Sequence, residues 1–265
     1  MHPLIRIGAL SVPSHGVFVG AGVIVALWSA WRLARREGRV SHELVWIVAA
    51  GMVGAAFLAR FGLSIRYALL PGEATWQGLL EYGGRSLLGG LAGAWLGVVG
   101  MKRLIGYRRD TGDLLIPGVA LGIAIGRIGC FLAERPGTAT TLPWGVRVPA
   151  DAAARLPDCP PCLTGEPMHP SFLYESLFVG LLAWWLYRQS ARRVLPAPWM
   201  REGDLFRTFL LAYAVFRFLV EFVRGNPAMA AGLTGSQLVV LPAALVLGWH
   251  FLRRRRAAAA GAPAA

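Results

Sequence analysis

Charge is scarce in this 265-residue chain: only 15% of residues are Asp, Glu, Lys or Arg, against 55% hydrophobic, with a mean hydropathy of +0.52. That balance excludes an ordinary soluble domain and points to a polytopic membrane protein. Acidic residues number 14 against 27 basic ones, and lysine occurs once, at Lys102. The net charge of +13 is not a nucleic-acid footprint, because the arginines punctuate apolar runs as loops between spans would. Nucleic acid is therefore excluded as a partner. Three cysteines are too few for a disulfide scaffold. Cys159 and Cys162 are the only close pair; with His169 and Asp158 nearby they suggest zinc, but no second ligand pair stands at metal-site spacing, so the pair reads as a local disulfide. No metal and no cofactor are expected. A P-loop and a convincing G-x-S-x-G motif are both missing, so the nucleophile of any covalent chemistry is expected to come with the substrate. No cleavable signal peptide is expected either, since the first apolar run leads into arginines and not into a small-residue cleavage site.

What is present is a succession of apolar runs with basic ends. They span 16–31, 44–63, 87–101, 114–133, 172–187, 205–223 and 238–252. The clusters Arg32/Arg35/Arg36/Arg39, Lys102/Arg103/Arg108/Arg109, Arg188/Arg192/Arg193 and Arg253–Arg256 all fall on one side if there are seven spans. The fold class is then an all-α polytopic membrane protein, one domain over 1–256, with its amino terminus extracytoplasmic and its carboxyl terminus cytoplasmic. The polar segment 134–170 becomes a small extracytoplasmic cap between the fourth and fifth helices, and the Ala/Gly/Pro tail 257–265 is expected to be disordered.

Within this frame some arginines are misplaced for loop residues. Arg127 sits inside the fourth run, flanked by Gly126 and Gly129, and Arg60, Arg217 and Arg224 lie near the outer ends of others. A charge in a span must reach an interface, find a partner, or serve a ligand. Tyr213, Arg217, Glu221 and Arg224, at spacings of four, four and three, share one helical face. That face is either a structural ion pair or the polar wall of an active site. His169-Pro170-Ser171 opens the fifth run, with Tyr174 and Glu175 one turn in. His169 and Tyr174 alone could be interfacial anchors, whereas an acid such as Glu175 inside an apolar run asks for a partner. Gly89 and Gly90 allow either tight helix packing or close approach of a lipid headgroup.

Taken in order, Gly83-Gly84 with Gly89-Gly90-Leu91, Gly126-Arg127-Ile128-Gly129-x-Phe131, Leu142-Pro143-Trp144, His169-Pro170-Ser171-x-Leu173-Tyr174-Glu175, Arg217-Phe218-x-Val220-Glu221-Phe222-x-Arg224 and Gly232-Leu233 to Gln237 resemble prolipoprotein diacylglyceryl transferase. The resemblance runs from about Gly16 to the end of the seventh run. It implies a seven-span enzyme of the bacterial inner membrane. Such an enzyme transfers the diacylglyceryl group of phosphatidylglycerol to the lipobox cysteine thiol of a prolipoprotein signal peptide, releasing glycerol 1-phosphate. Its partners would be phosphatidylglycerol, that signal peptide and membrane lipid. By the resemblance, Arg127 matches the signature arginine for phosphatidylglycerol and Arg217 a second essential arginine, with Glu221 and Tyr213 as polar neighbours. The implied catalytic set is Arg127, Arg217 and Glu221. The expected lipid-binding set adds Arg224 and Arg60, which with Arg127 and Arg217 could offer guanidinium forks to an anionic headgroup, together with Tyr213, Gly89, Gly90, His169, Tyr174 and Glu175.

Two positions depart from the pattern. Leu88 stands where the family usually has a histidine before the paired glycines, a candidate base for the thiol; Cys130 stands where it usually has asparagine and reads as a small apolar filler. Leu132 to Gly137 is also about one residue shorter than the family's turn. Arg127 or Glu221 could influence the thiol's protonation, and a thiol titrating at about 8.5 needs only modest electrostatic help from a nearby guanidinium. The competing expectation is a non-catalytic paralogue that keeps the lipid-binding arginines, and a third is an enzyme using the same donor on another nucleophile.

Overall fold

The computed structural model describes residues 4–7, 10–61, 86–153, 159–192, 197 and 199–259. It is mostly helical. A short antiparallel hairpin, β1 (Leu4–Ile7) and β2 (Leu10–Pro13), precedes α1 (Ser14–Arg36) and α2 (His42–Phe61). There follow α3 (Leu87–Leu104), α4 (Gly112–Ala133), α5 (Ser171–Arg192), α6 (Asp204–Val220) and, after a second small hairpin of β3 (Ala228–Ala230) and β4 (Leu233–Thr234), α7 (Gly235–Ala259). One-turn helices occur at Ala150–Ala153 and Pro160–Leu163, and a 3₁₀ turn, Glu221–Val223, prolongs α6.

Each long helix falls on one of the apolar runs. Five of them, α1, α2, α3, α4 and α7, are long and apolar enough to cross a membrane. Helix α6 has 17 residues, fewer than the roughly 20 that a perpendicular span needs, and α5 carries Glu175, Arg188 and Arg192. The last helix runs through Ala259, beyond the point where a disordered tail is expected to start at 257. Large apolar side chains face outward, among them Ile24, Val53, Leu181 and Leu245, as lipid-facing positions would. Near the basic ends of α1, α5 and α7 the same pairing recurs at i, i+4: the guanidiniums of Arg32, Arg188 and Arg253 lie 4.8, 4.5 and 4.6 Å from the ring centres of Trp28, Trp184 and Trp249. A tryptophan roofed by arginine suits the headgroup level, where an amphipathic ring and a cation are both well solvated.

The described chain forms two compact units, Met1–Arg36 with Asp110–Ala265, and Glu37–Arg109. In the second unit α2 packs on α3 through backbone contact: a Cβ on Gly89 would lie 2.5 Å from the Leu58 carbonyl oxygen, and Gly54 and Gly93 leave no room for one against each other. Ser86 caps α3 by accepting the Gly89 N–H at 3.0 Å. Gly89 is thus accounted for by helix packing.

In the first unit α4 is the central helix, lying against both α1 and α5. A Cβ on Gly22 would come 2.5 Å from the Gly122 carbonyl oxygen, and one on Gly118 2.5 Å from that of Ala26. Without a hydrophobic driving force inside a bilayer, such close backbone approach is what favours association. Ser176 Oγ donates to the Ala124 carbonyl at 2.7 Å, fastening α5 to α4. At the opposite end Asp113 accepts the Gly203 and Phe206 N–H groups at 2.8 and 2.9 Å and so caps α6 from α4. The 134–170 segment has a small core of its own, Val148, Ala152, Ala153, Cys159, Cys162 and Met168, and Cys159 and Cys162 form a disulfide as expected. Its two ends are joined by Gly137 N–H to the His169 carbonyl at 2.7 Å and His169 N–H to that of Thr138 at 2.9 Å.

The α1–α4 contact can be tested directly. Gly122→Leu forces side-chain bulk against the Gly22 backbone and is expected to destabilise the protein by about 1–3 kcal/mol, the usual range for overpacking. Thermal unfolding in detergent should show a lower midpoint, while Gly100→Leu, at a glycine with open space around it, should leave the midpoint near the original.

Candidate active site

The polar centre of the first unit is built on Glu175. Pro170 and Ser171 start α5, which places Glu175 one turn in, facing α4 and α6 rather than lipid. Its side chain is fully buried. An isolated carboxylate there would be prohibitively costly, so its partners matter. Arg127 Nη2 lies 2.8 Å from Oε1, Tyr213 donates its hydroxyl to the same oxygen at 2.5 Å, and Arg224 Nη1 is 3.5 Å from Oε2. One carboxylate therefore gathers three residues from α4, α6 and the turn after α6. Phe172, one helical turn before it, sits under both cations, with ring-centre distances of 4.2 Å to Arg224 and 5.7 Å to Arg127.

A second cluster continues along the same face of α6. Arg217 pairs with Glu221, four residues on, as the spacing predicts. Glu221 accepts two further hydrogen bonds on Oε1, from Asn226 at 2.7 Å and from Thr234 at 2.8 Å. Arg217 Nη2 also reaches Ser236 Oγ at 3.4 Å. Gln237 holds the adjoining turn, accepting the Thr234 N–H and donating to the Phe218 carbonyl. The Gly232-to-Gln237 motif is thus the support that orients Glu221.

Across the two clusters three guanidiniums, Arg127, Arg217 and Arg224, face two carboxylates, Glu175 and Glu221. One positive charge is in excess in a largely water-free region. Arg127 Nε is in addition a buried donor with no hydrogen-bond partner among the described residues. A guanidinium with donor capacity to spare, inside a net-positive pocket, suits a bidentate anion such as a phosphate.

His169, Tyr174 and Trp144 form a separate group at the edge of the 134–170 segment. Tyr174 Oη accepts from Trp144 Nε1 at 2.9 Å and lies 3.3 Å from His169 Nδ1. This links the Leu142-Pro143-Trp144 motif to the start of α5. Arg60, Gly89 and Gly90 belong to the second unit. Gly83, Gly84 and Arg85 lie outside the described residues.

Cys130 differs from the expected apolar filler. Its buried thiol lies 3.8 Å from Arg127 Nη1 and 3.6 Å from His15 Nδ1, and His15 Nδ1 is 3.8 Å from Glu134 Oε1. Arg127 and Glu134 lie one turn to either side of Cys130, but His15 comes from α1, which no local feature of 126–134 indicates. His15 is not legible as a neighbour of Cys130 for that reason, while Glu134, Thr234 and Asn226 have only their proximity to motifs already singled out as a signal.

The family model for prolipoprotein diacylglyceryl transferase matches residues 2–253. The chain belongs to this family. Among its relatives, a phosphatidylglycerol–prolipoprotein diacylglyceryl transferase of Synechococcus elongatus is 34% identical over 251 residues, covering 91% of this chain and 82% of that protein. The same enzyme of Gloeobacter violaceus is 34% identical over 270 residues, covering 95% and 93%, and that of Chromohalobacter salexigens 33% identical over 258 residues, covering 91% and 87%. The chain is accordingly a membrane transferase, and a non-catalytic paralogue is not favoured.

Glu175 supplies the test of this architecture. Glu175→Gln leaves Arg127 and Arg224 without their carboxylate and should destabilise the protein by about 3–5 kcal/mol, the cost of breaking a buried pair. Thermal unfolding in detergent should show this loss as a lower midpoint.

Proposed function

We propose that the chain transfers the diacylglyceryl group of phosphatidylglycerol to the cysteine thiol of a prolipoprotein lipobox and releases glycerol 1-phosphate. The observation that carries this reading is the buried excess of guanidinium over carboxylate around Arg127, together with its spare Nε donor. Arg127 and Arg224 grip the phosphate, with Glu175 and Tyr213 holding Arg127 in place. Arg217, steadied by Glu221, stabilises the negative charge that grows on the leaving phosphate as the thiolate attacks the glyceryl carbon. Aligning sulfur, carbon and leaving oxygen supplies much of the remaining acceleration. His169, Tyr174 and Trp144 border the headgroup.

The reading includes a seven-span topology in the bacterial inner membrane, as one membrane domain over 1–256. The Trp–Arg pairs support it, because α1, α5 and α7 then end at the same cytoplasmic headgroup level, with the amino terminus and the 134–170 cap outside. Glu175 near the start of α5 and Tyr213, Arg217 and Glu221 along α6 are tolerated in that topology because they are buried within the protein, while Arg188 and Arg192 are exposed at the basic end of α5.

Incubation of the purified protein with phosphatidylglycerol and a lipobox peptide should give a peptide mass gain of one diacylglyceryl group and free glycerol phosphate. Absence of both would sink the proposal. Arg127→Ala should lower turnover by at least about 10²-fold, the effect of deleting one donor to a developing anion. Arg127→Lys should recover little, since an ammonium cannot reproduce the bidentate fork.

A further inference from the structure

His15, Cys130 and Glu134 form a cluster in which His15 Nδ1 meets both the Cys130 thiol and the Glu134 carboxylate. The three side chains come from the first turn of α1 and the last turn of α4 and its cap. They converge because Gly129 lets α1 come close; a Cβ there would lie 2.8 Å from Phe18 Cβ and 3.1 Å from His15 Cα. Each offers one ligand atom, and the three atoms lie within 4.8 Å of one another. Tetrahedral zinc with one sulfur, one nitrogen and one oxygen ligand needs separations of roughly 3.4–3.6 Å between donor atoms, from its bond lengths. The observed Sγ–Nδ1 distance is 3.6 Å and Nδ1–Oε1 is 3.8 Å. The third side, from Cys130 Sγ to the Glu134 carboxylate, falls within the same 4.8 Å, and Glu134 is partly exposed at the end of α4.

We propose that His15, Cys130 and Glu134 bind a divalent cation of the zinc class, with its fourth position open to the thiol of the incoming peptide. Thiolate, imidazole and carboxylate together select such a borderline metal, and three protein ligands with one open position are the pattern of catalytic rather than structural zinc. The charges agree. A thiolate and a carboxylate offset the two positive charges of the ion, and the neighbouring Arg127 already has Glu175 at 2.8 Å. Arg127 Nη1, 3.8 Å from the sulfur, then donates to the metal-bound thiolate, as outer groups commonly do.

The role of the fourth position rests on the transfer reaction proposed above. A thiol bound to the metal is deprotonated, its proton passing to water. The sulfur lone pair forms the bond to the glyceryl carbon while the carbon–oxygen bond to phosphate breaks, and that electron pair leaves with glycerol 1-phosphate. The metal sits beside Arg127, so the activated sulfur and the phosphate would be held by adjacent groups. Leu88 then needs no replacement as a base.

The test uses the full chain purified in detergent, stripped of metal and reloaded with Co(II) or Zn(II). The expected result is a single retained equivalent of zinc and, with cobalt, a thiolate-to-metal charge-transfer band in the near ultraviolet. Cys130→Ser should abolish the band with an unchanged circular-dichroism spectrum, His15→Gln should weaken zinc retention, and Cys159→Ser with Cys162→Ser should change neither. A lipobox peptide should intensify the band, and its Cys→Ser counterpart should not. No band in the original protein, or a band that survives Cys130→Ser, overturns the site. A band indifferent to the cysteine peptide, or transfer undiminished after metal removal, overturns the role of the fourth position. A normal band without transfer activity in the original protein would instead refute the transfer reading and leave the metal site standing.

Discussion

Much of the first unit depends on one fully buried carboxylate. Glu175 cannot sit among α4, α5 and α6 unless cations meet it there, and the two that do, Arg127 and Arg224, could not be buried without it. This mutual requirement holds the end of α4, the start of α5 and the turn after α6 together at one point. Tyr213 adds a hydrogen bond that uses an oxygen already shared with Arg127, so its position on α6 is set by the same group. Phe172 completes the arrangement from below, presenting a π-face that tolerates two guanidiniums.

The second acidic group works differently. Glu221 is held by neutral donors, Asn226 and Thr234, as well as by Arg217, so its orientation is fixed from several directions. Arg217 consequently has a rigid partner, which keeps its remaining donors aimed in one direction. One arginine–carboxylate cluster carries excess charge while the other holds a preorganised cation, and the proposed stabilisation of a departing phosphate calls for both. Small residues make room for these clusters: Gly22, Gly118 and Gly122 bring α1 onto α4, and Gly129 brings His15 to Cys130.

The helix boundaries were legible in the sequence because arginine clusters and apolar runs respond to the same physical fact, the cost of charge in hydrocarbon. Helices α1, α4 and α5 begin or end within a few residues of the runs read from composition. The Arg217–Glu221 pair was likewise readable, since four residues is one helical turn. The Cys159–Cys162 disulfide was readable from a three-residue separation.

Other features depended on contacts between residues distant in the chain. The sequence placed Glu175 in an apolar run and so demanded a partner, but nothing in it distinguished Arg127 from Arg217 as that partner, because the two stand 48 and 42 positions away along the chain. The tertiary structure assigns Glu175 to Arg127 and Arg224, leaving Arg217 to Glu221. The same distinction applies to Cys130. Local sequence determined that it sits one turn after Arg127 and one turn before Glu134, whereas only the packing of α1 on α4 decided that an imidazole would meet its sulfur. Periodicity reports which face of a helix is polar; which polar group it meets is decided by how closely the backbones approach.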